Sequence, residues 1–229
     1  DDTAGVFRKL ATFALEETWR CPRGIAMRAE HEGQPHLYFV EHFAAIRVPA
    51  DWASVLDPSR YEALAYDPES SDYHWQRAAG PTTQDDEAKL IGSGSLPAEK
   101  ARYQLVDAAT GRPVRLHRGS IRWNPFRQKW IMIGNEEDSA QNVSYLGELW
   151  YAEASSLTGP WRKAVKVATH PNYSFYNPVH HEFFDEDGGR IVYFEGTYTR
   201  QFSRSPIATP RYDYNQIMYR LDLTTVGLD

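Results

Sequence analysis

The chain has 229 residues, with 31 acidic against 25 basic side chains and a net charge of −6, so its charge offers nothing to nucleic acid or to an anionic membrane surface. No apolar run approaches the roughly 18 residues of a membrane-spanning helix. Cys21 is the single cysteine, which excludes an internal disulfide or thiolate metal cluster and reads as a small buried thiol.

In chain order, Ala4-Gly5-Val6-Phe7-Arg8-Lys9 matches Thr158-Gly159-Pro160-Trp161-Arg162-Lys163, so residues 1–20 are expected to form an outer strand and a connector. Asp1 in place of Met reads as a mature or trimmed N-terminus, as on an exported protein. After Gly24, strands are expected at 25–27 and 37–41 around a turn at Glu32-Gly33-Gln34-Pro35, with a third strand at 44–48. Residues 49–61 read as a loop with a short helical turn. Residues 67–94, rich in Asp, Glu, Ser, Gly and Thr, read as irregular surface loop around a strand at 73–76. Residues 106–114 carry a hairpin signature.

The clearest unit is 117–161. Runs of β-branched and aromatic residues at 120–123 and 130–133 flank the turn residues Asn124-Pro125-Phe126-Arg127. A polar loop at 134–144 leads to a strand at 148–152, and a turn at 155–159 leads to another at 161–167, giving a four-stranded antiparallel meander. The plan returns after Pro178, with strands expected at 179–184 and 191–195 around Asp185-Glu186-Asp187-Gly188-Gly189, then a long excursion over 199–214 and a strand at 216–221.

Repetition of one four-stranded unit is the mark of a β-propeller, whose blades bury their faces against one another around a channel. The expected fold is therefore all-β, a single domain over 1–229 with about three blades visible and further blades missing on the N-terminal side. Those blades would come from the protein's own precursor or from a second chain.

Antiparallel pairing puts the start of each first strand and the end of each second strand at one rim. The starts bring Arg23, His117, Arg118, Tyr176, Asn177, His180 and His181; the ends bring Glu41, Asn135, Glu136, Glu195 and Tyr198. Glycoside hydrolysis needs two carboxyl groups, one protonated and one ionised. Glu195, Glu136 and Glu41 are the candidates, each at the end of an apolar second strand. Arg23, His117, Arg118, Tyr176, Asn177 and Tyr198 are the candidate substrate-binding residues, and the 14% aromatic content suits a sugar site. The sequence requires no cofactor; a calcium or other divalent ion in the channel would take His180 as a ligand. The Asp185 to Gly189 run reads as an ordinary polar turn in a tight hairpin. Asn142-Val143-Ser144 and Asn172-Tyr173-Ser174 fit the glycosylation pattern, which matters only in a eukaryotic host.

Ala154-Ser155-Ser156-Leu157-Thr158-Gly159-Pro160-Trp161, following Leu149-Trp150-Tyr151, resembles the third-to-fourth strand hairpin of the five-bladed propeller glycosidases, the arabinanases, β-xylosidases and their invertase relatives. The resemblance implies a secreted or periplasmic protein whose partner is a plant or algal carbohydrate. It also implies a base Asp, a pKa-tuning Asp and an acid Glu at the starts of inner strands, where this chain has Arg23, His117, Arg118 and His180. The expectation is a glycoside hydrolase or a non-catalytic carbohydrate-binding propeller; the separation of rim carboxylates distinguishes them.

Overall fold

The computed structural model describes residues 5–137, 146–170 and 172–228. The chain is mostly β, and among the described residues its strand pairings are antiparallel except that of Trp161–Thr169 with Tyr103–Asp107. It divides into two compact units, Asp1–Thr83 and Gln84–Asp229.

The first unit is one five-stranded meander, β1 (Ala26–His31), β2 (Gln34–Phe39), β3 (Ile46–Pro49), β4 (Glu62–Asp67) and β5 (Asp72–Gln76), in that spatial order. The β1–β2 turn needs only two residues, Glu32 and Gly33, because both have positive φ (50° and 72°), the geometry that matches strand twist in a two-residue hairpin. Between β3 and β4 a short helix α1 (Trp52–Val55) is capped by Asp51, whose carboxylate accepts from Ser54 N at 2.9 Å. Phe39, Ile46, Val48, Tyr61 and Ala63 form the core of this unit, with Phe13 and Trp19 packed against it. The Arg47 guanidinium lies 4.1 Å over the Trp75 ring and bonds Glu62 at 2.8 Å, tying the central strand β3 to β4 and β5.

The N-terminal strand expected at 4–9 is not formed over its described residues. Residues 5–14 carry no strand, and Leu15–Arg20 is a 3-10 turn. Phe7 is fully exposed, as are Val6 and Leu10 in large part, whereas Trp161, its supposed counterpart, is fully buried. A matching local pattern becomes a strand only when a neighbouring strand takes up its N–H and C=O groups.

The second unit opens with α2 (Gln84–Gly92), inside the stretch expected to be loop. The signals for it were present: Pro81-Thr82-Thr83 precede it, acidic residues fill its first turn, and Gly92 and Gly94 close it. Glu87 is fully buried and accepts from Arg102 N and Tyr103 N, each at 2.9 Å, so the helix is clamped to the start of β6 (Tyr103–Asp107). Beyond it lies the meander β7 (Leu116–Asn124), β8 (Lys129–Glu136), β9 (Glu148–Ala154) and β10 (Trp161–Thr169), as the sequence led one to expect. β6 adds a fifth strand, parallel to β10, giving the order β6-β10-β9-β8-β7. The residues expected as a hairpin at 106–114 form a turn closed by an isolated Val106–Pro113 bridge.

The last sheet is β11 (Ser174–His180), β12 (Ile191–Thr199) and β13 (Tyr214–Asp222). Its first strand lies earlier than expected, and Glu182–Phe184 is a 3-10 turn. Pro178 sits inside the strand because Asn177, at φ 49°, makes an irregularity in the register between Tyr176 and Val179; a bulge is where a ladder tolerates proline. The link from β11 to β12 is two 3-10 turns instead of a tight hairpin.

The two sheets of this unit pack face to face. Ile131, Ile133, Leu149 and Tyr151 meet Phe175, Val192 and Phe194 in a buried cluster closed by Leu223 and Val226, each fully buried side chain contributing about 1.5–3 kcal/mol. β7 and β11 run side by side in the same direction: Tyr176 lies against His117, His180 N donates to Ser120 Oγ at 2.7 Å, and Asn124 Nδ2 donates to Gly189 O at 2.7 Å.

Candidate functional site: the seam between two first strands

The start of β7 brings His117 and Arg118 to the edge of its sheet, and the bulge in β11 turns Tyr176 and Asn177 toward them. The His117 and Tyr176 rings are 6.1 Å apart and tilted by 31°; Tyr176 also meets Phe202 at 5.5 Å and 35°. Arg118 lies 5.9 Å from the centre of the Tyr176 ring and donates to Asn177 Oδ1 at 3.3 Å. Beneath them, buried Asn135 accepts from Arg118 N at 3.2 Å and donates to Phe175 O at 3.1 Å. Four of the expected binding residues, His117, Arg118, Tyr176 and Asn177, are therefore neighbours. Phe202 was not foreseen; it comes from the loop at 200–213, whose sequence carries no periodic signal.

Glu136 ends β8 but faces away from this seam. Register places it opposite Glu148, since Asn135 pairs with Leu149. Arg112 holds Glu136 in a two-pronged ion pair, with one contact at 2.9 Å, and Trp150 Nε1 donates to it at 2.8 Å. Lys166 bonds Glu148 at 2.6 Å, and Arg112 reaches Glu148 at 3.6 Å. Burial works to raise the Glu136 pKa, but Arg112, Glu148 and Trp150 outweigh it and hold it below the usual value. Burial and the bond to Glu136 push Glu148 up, against the pull of Lys166. The two carboxyls are thus driven apart, as in an acid/base pair, yet both are almost wholly buried. A cleft of about 360 Å³ lined by Tyr103, Gln104, Arg112 and Arg115 reaches Glu136 from outside, with Arg112 across the carboxylate.

Glu195 lies on the face of β12 shared with Thr197, the partner of Tyr176 in register, and contacts His181 Nε2 at 3.2 Å with its side chain about a third exposed. Two residues along a strand separate it from Thr197, roughly 7 Å. Tyr198 is on the opposite face, in a cluster with His170, Tyr173 and Phe175. His180, fully buried on that same face, directs Nε2 at both Asp185 oxygens (2.9 and 3.0 Å), so the Asp185 turn serves a histidine; its Nδ1 has no hydrogen-bond partner among the described residues. No three His, Cys, Asp or Glu side chains converge as a metal site among the described residues. In the first unit, Arg23 and Glu41 form a partly exposed ion pair at 3.2 Å.

Of the two glycosylation patterns, 142–144 lies outside the described residues. Asn172 of the other accepts from Ser205 Oγ at 3.3 Å.

No family model matches this chain, and no curated protein matches it. Among solved structures it is similar to an exo-β-1,3-galactanase from Phanerochaete chrysosporium, solved with β-1,3-galactotriose, at 11% identity and a TM-score of 0.31, covering 86% of this chain and 38% of that one. A glycoside hydrolase family 43 β-1,3-galactosidase is similar at 14% identity and a TM-score of 0.30, covering 83% and 34%. The chain thus spans little more than a third of the length of either, and overlaps of this size carry no argument about activity.

Proposed function

We propose that this chain is a carbohydrate-binding portion of a propeller-type protein, and that the β7–β11 seam is its sugar platform. The observation that carries the reading is the partly exposed Tyr176 ring, in contact with His117 and Phe202 and with Arg118 and Asn177 beside it. Sugars are recognised by a flat ring against their C–H faces and by planar hydrogen-bonding groups at their hydroxyls, and both are within one side chain's reach here. The parallel run of β7 and β11, the first strands of two face-packed sheets, favours blades set around an axis. So do Phe183 and Phe184, which stand exposed in the turn that follows β11; further blades, from the protein's own precursor or a second chain, would cover them. A five-bladed ring and a secreted or periplasmic setting complete the proposal, since polysaccharide is met outside the cytoplasm.

Glycoside hydrolysis is the second reading, favoured by Glu195, partly exposed on the same sheet face as Tyr176 and beside His181. Binding is preferred because Glu136 is closed off by Arg112 and Glu41 is tied to Arg23. Affinity electrophoresis and product analysis against plant and algal polysaccharides test both. Tyr176→Ala should weaken binding about tenfold, the value of one good aromatic contact, with the thermal midpoint unchanged. Glu195→Gln should leave binding intact; loss of sugar release in that variant selects hydrolysis, and retention of all binding by Tyr176→Ala removes the platform.

A further inference from the structure

The 200–213 loop supplies Phe202 to the platform, and its anchorage leads back to one histidine. Ser203 Oγ donates to Asn172 O at 2.5 Å, Ser205 Oγ donates to Asn172 Oδ1 at 3.3 Å, and Tyr173 Oη donates to Ala208 O at 2.8 Å. Asn172 and Tyr173 are in turn fixed by His170, whose Nδ1 accepts from both of their backbone N–H groups at 3.1 and 3.2 Å. A nitrogen that accepts two N–H groups carries no proton, so the ring hydrogen is on Nε2, which faces Tyr198 Oη at 2.9 Å. Tyr173 stacks on the imidazole at 4.4 Å and 21°.

We infer that His170 is a positioning residue: as neutral imidazole it latches the 200–213 loop, with Phe202, over the Tyr176 platform, and protonation of Nδ1 releases the latch. This rests on the carbohydrate reading only for the purpose of the loop. The latch itself stands on its own geometry. A protonated Nδ1 turns from acceptor to donor and faces two donors, so Asn172 and Tyr173 must move, and the loop bonds they hold go with them.

The groups around the ring do not counteract this. Among the described residues, Tyr173 and Tyr198 are the titratable side chains seen in contact with it. On β9 the nearest charged group in register is Glu148, opposite Thr169 and committed to Lys166; in the loop, Arg200 and Asp213 pair with each other at 3.6 Å. Burial alone lowers the His170 pKa from 6.5, as a latch closed at neutral pH requires.

Hydrogen exchange of the ligand-free protein tests the latch. Ser203, Ser205 and Ile207 amides are bonded within the loop. After correction for intrinsic rates, their exchange should quicken about tenfold between roughly pH 7.5 and pH 5, the equivalent of losing one or two hydrogen bonds. His170→Asn, whose amide oxygen accepts without titrating, should abolish that pH dependence. Equal protection at both pH values in the wild type, or an unchanged pH dependence in the variant, overturns the inference. Nitrogen NMR of the wild type is the second measurement: the neutral Nε2–H tautomer at pH 7 is expected, and an Nδ1–H tautomer or a cation there would be fatal. No sugar enters either experiment, so a failed polysaccharide screen leaves the latch standing, and a failed latch leaves the platform standing.

Discussion

The side-chain amide of Asn135 donates to the carbonyl of Phe175 at 3.1 Å, so a residue at the end of β8 fixes the beginning of β11, a strand of another sheet. Its oxygen accepts from Arg118 N. One fully buried side chain therefore sets the spacing of the two strands that carry Arg118 and Tyr176.

Asn135→Ala leaves a buried donor and a buried acceptor without partners and should destabilise the protein by about 2–3 kcal/mol. Urea denaturation gives the number, and a loss below about 0.5 kcal/mol would mean that the two sheets hold their spacing without this bridge. Asn135→Asp, which turns a carboxylate oxygen toward the Phe175 carbonyl at a fully buried position, should cost at least as much at neutral pH.

Glu136 and Glu148 should act on stability in opposite pH ranges. Because Glu136 is lowered in the folded protein, its contribution is present above its unfolded value of 4.5 and is lost as pH falls through the native value. Because Glu148 is raised, its contribution is full below 4.5 and is lost as pH rises through the native value. Relative to wild type, Glu148→Gln should thus become steadily more stable as pH rises from about 4.5 toward neutrality. Glu136→Gln should be at its greatest disadvantage above about pH 4.5 and recover below it. Unfolding midpoints measured across this range decide; parallel curves for wild type and Glu148→Gln would rule out a raised Glu148.

Glu87→Ala removes the fully buried carboxylate that serves both Arg102 N and Tyr103 N. A loss of about 3 kcal/mol is expected, with Glu87→Gln costing roughly half. Thermal unfolding with circular dichroism detection reports it, and a midpoint within a degree of wild type in the alanine variant would contradict the clamp.

Gly119→Ala should be damaging for a reason unrelated to turn geometry. A Cβ there would meet Ile133 O at 2.4 Å and Gly134 Cα at 2.8 Å, both backbone atoms that cannot swing aside. β7 and β8 would have to separate where Gly119 pairs with Gly134, at a cost of about 1–3 kcal/mol. Equilibrium unfolding that matches wild type would show that the pair of strands is looser than its register implies.

Legibility followed the range of the forces involved. The hairpin of β7 and β8 could be read because its turn is local: Asn124 Oδ1 accepts from Arg127 N at 2.8 Å, three residues away. β9, β10, β12 and β13 could be read from their apolar and aromatic runs. β11 could not be placed, because Pro178 reads as a boundary until the bulge at Asn177 is seen. α2 was hidden by its polarity, its buried member being Glu87, and only the amides of Arg102 and Tyr103 make a buried glutamate favourable. At the site, common rim position was enough to group His117 and Arg118 with Tyr176 and Asn177. It misled for Glu136 and Tyr198, since position along a strand says which end a residue occupies and side-chain alternation, set by register, says which face.

By itself, then, the sequence determined the antiparallel meander β7–β10, the strands β12 and β13, and the polar character of the seam, all of which follow from alternation, turn chemistry and neighbours close in number. Only the tertiary structure decided that residues 5–14 form no strand, that Arg112 covers Glu136, and that Phe202 reaches Tyr176 through a loop held by His170. Those outcomes depend on partners far along the chain, where whether a charge or a backbone group is satisfied is set by packing and cannot be computed from the residues that flank it.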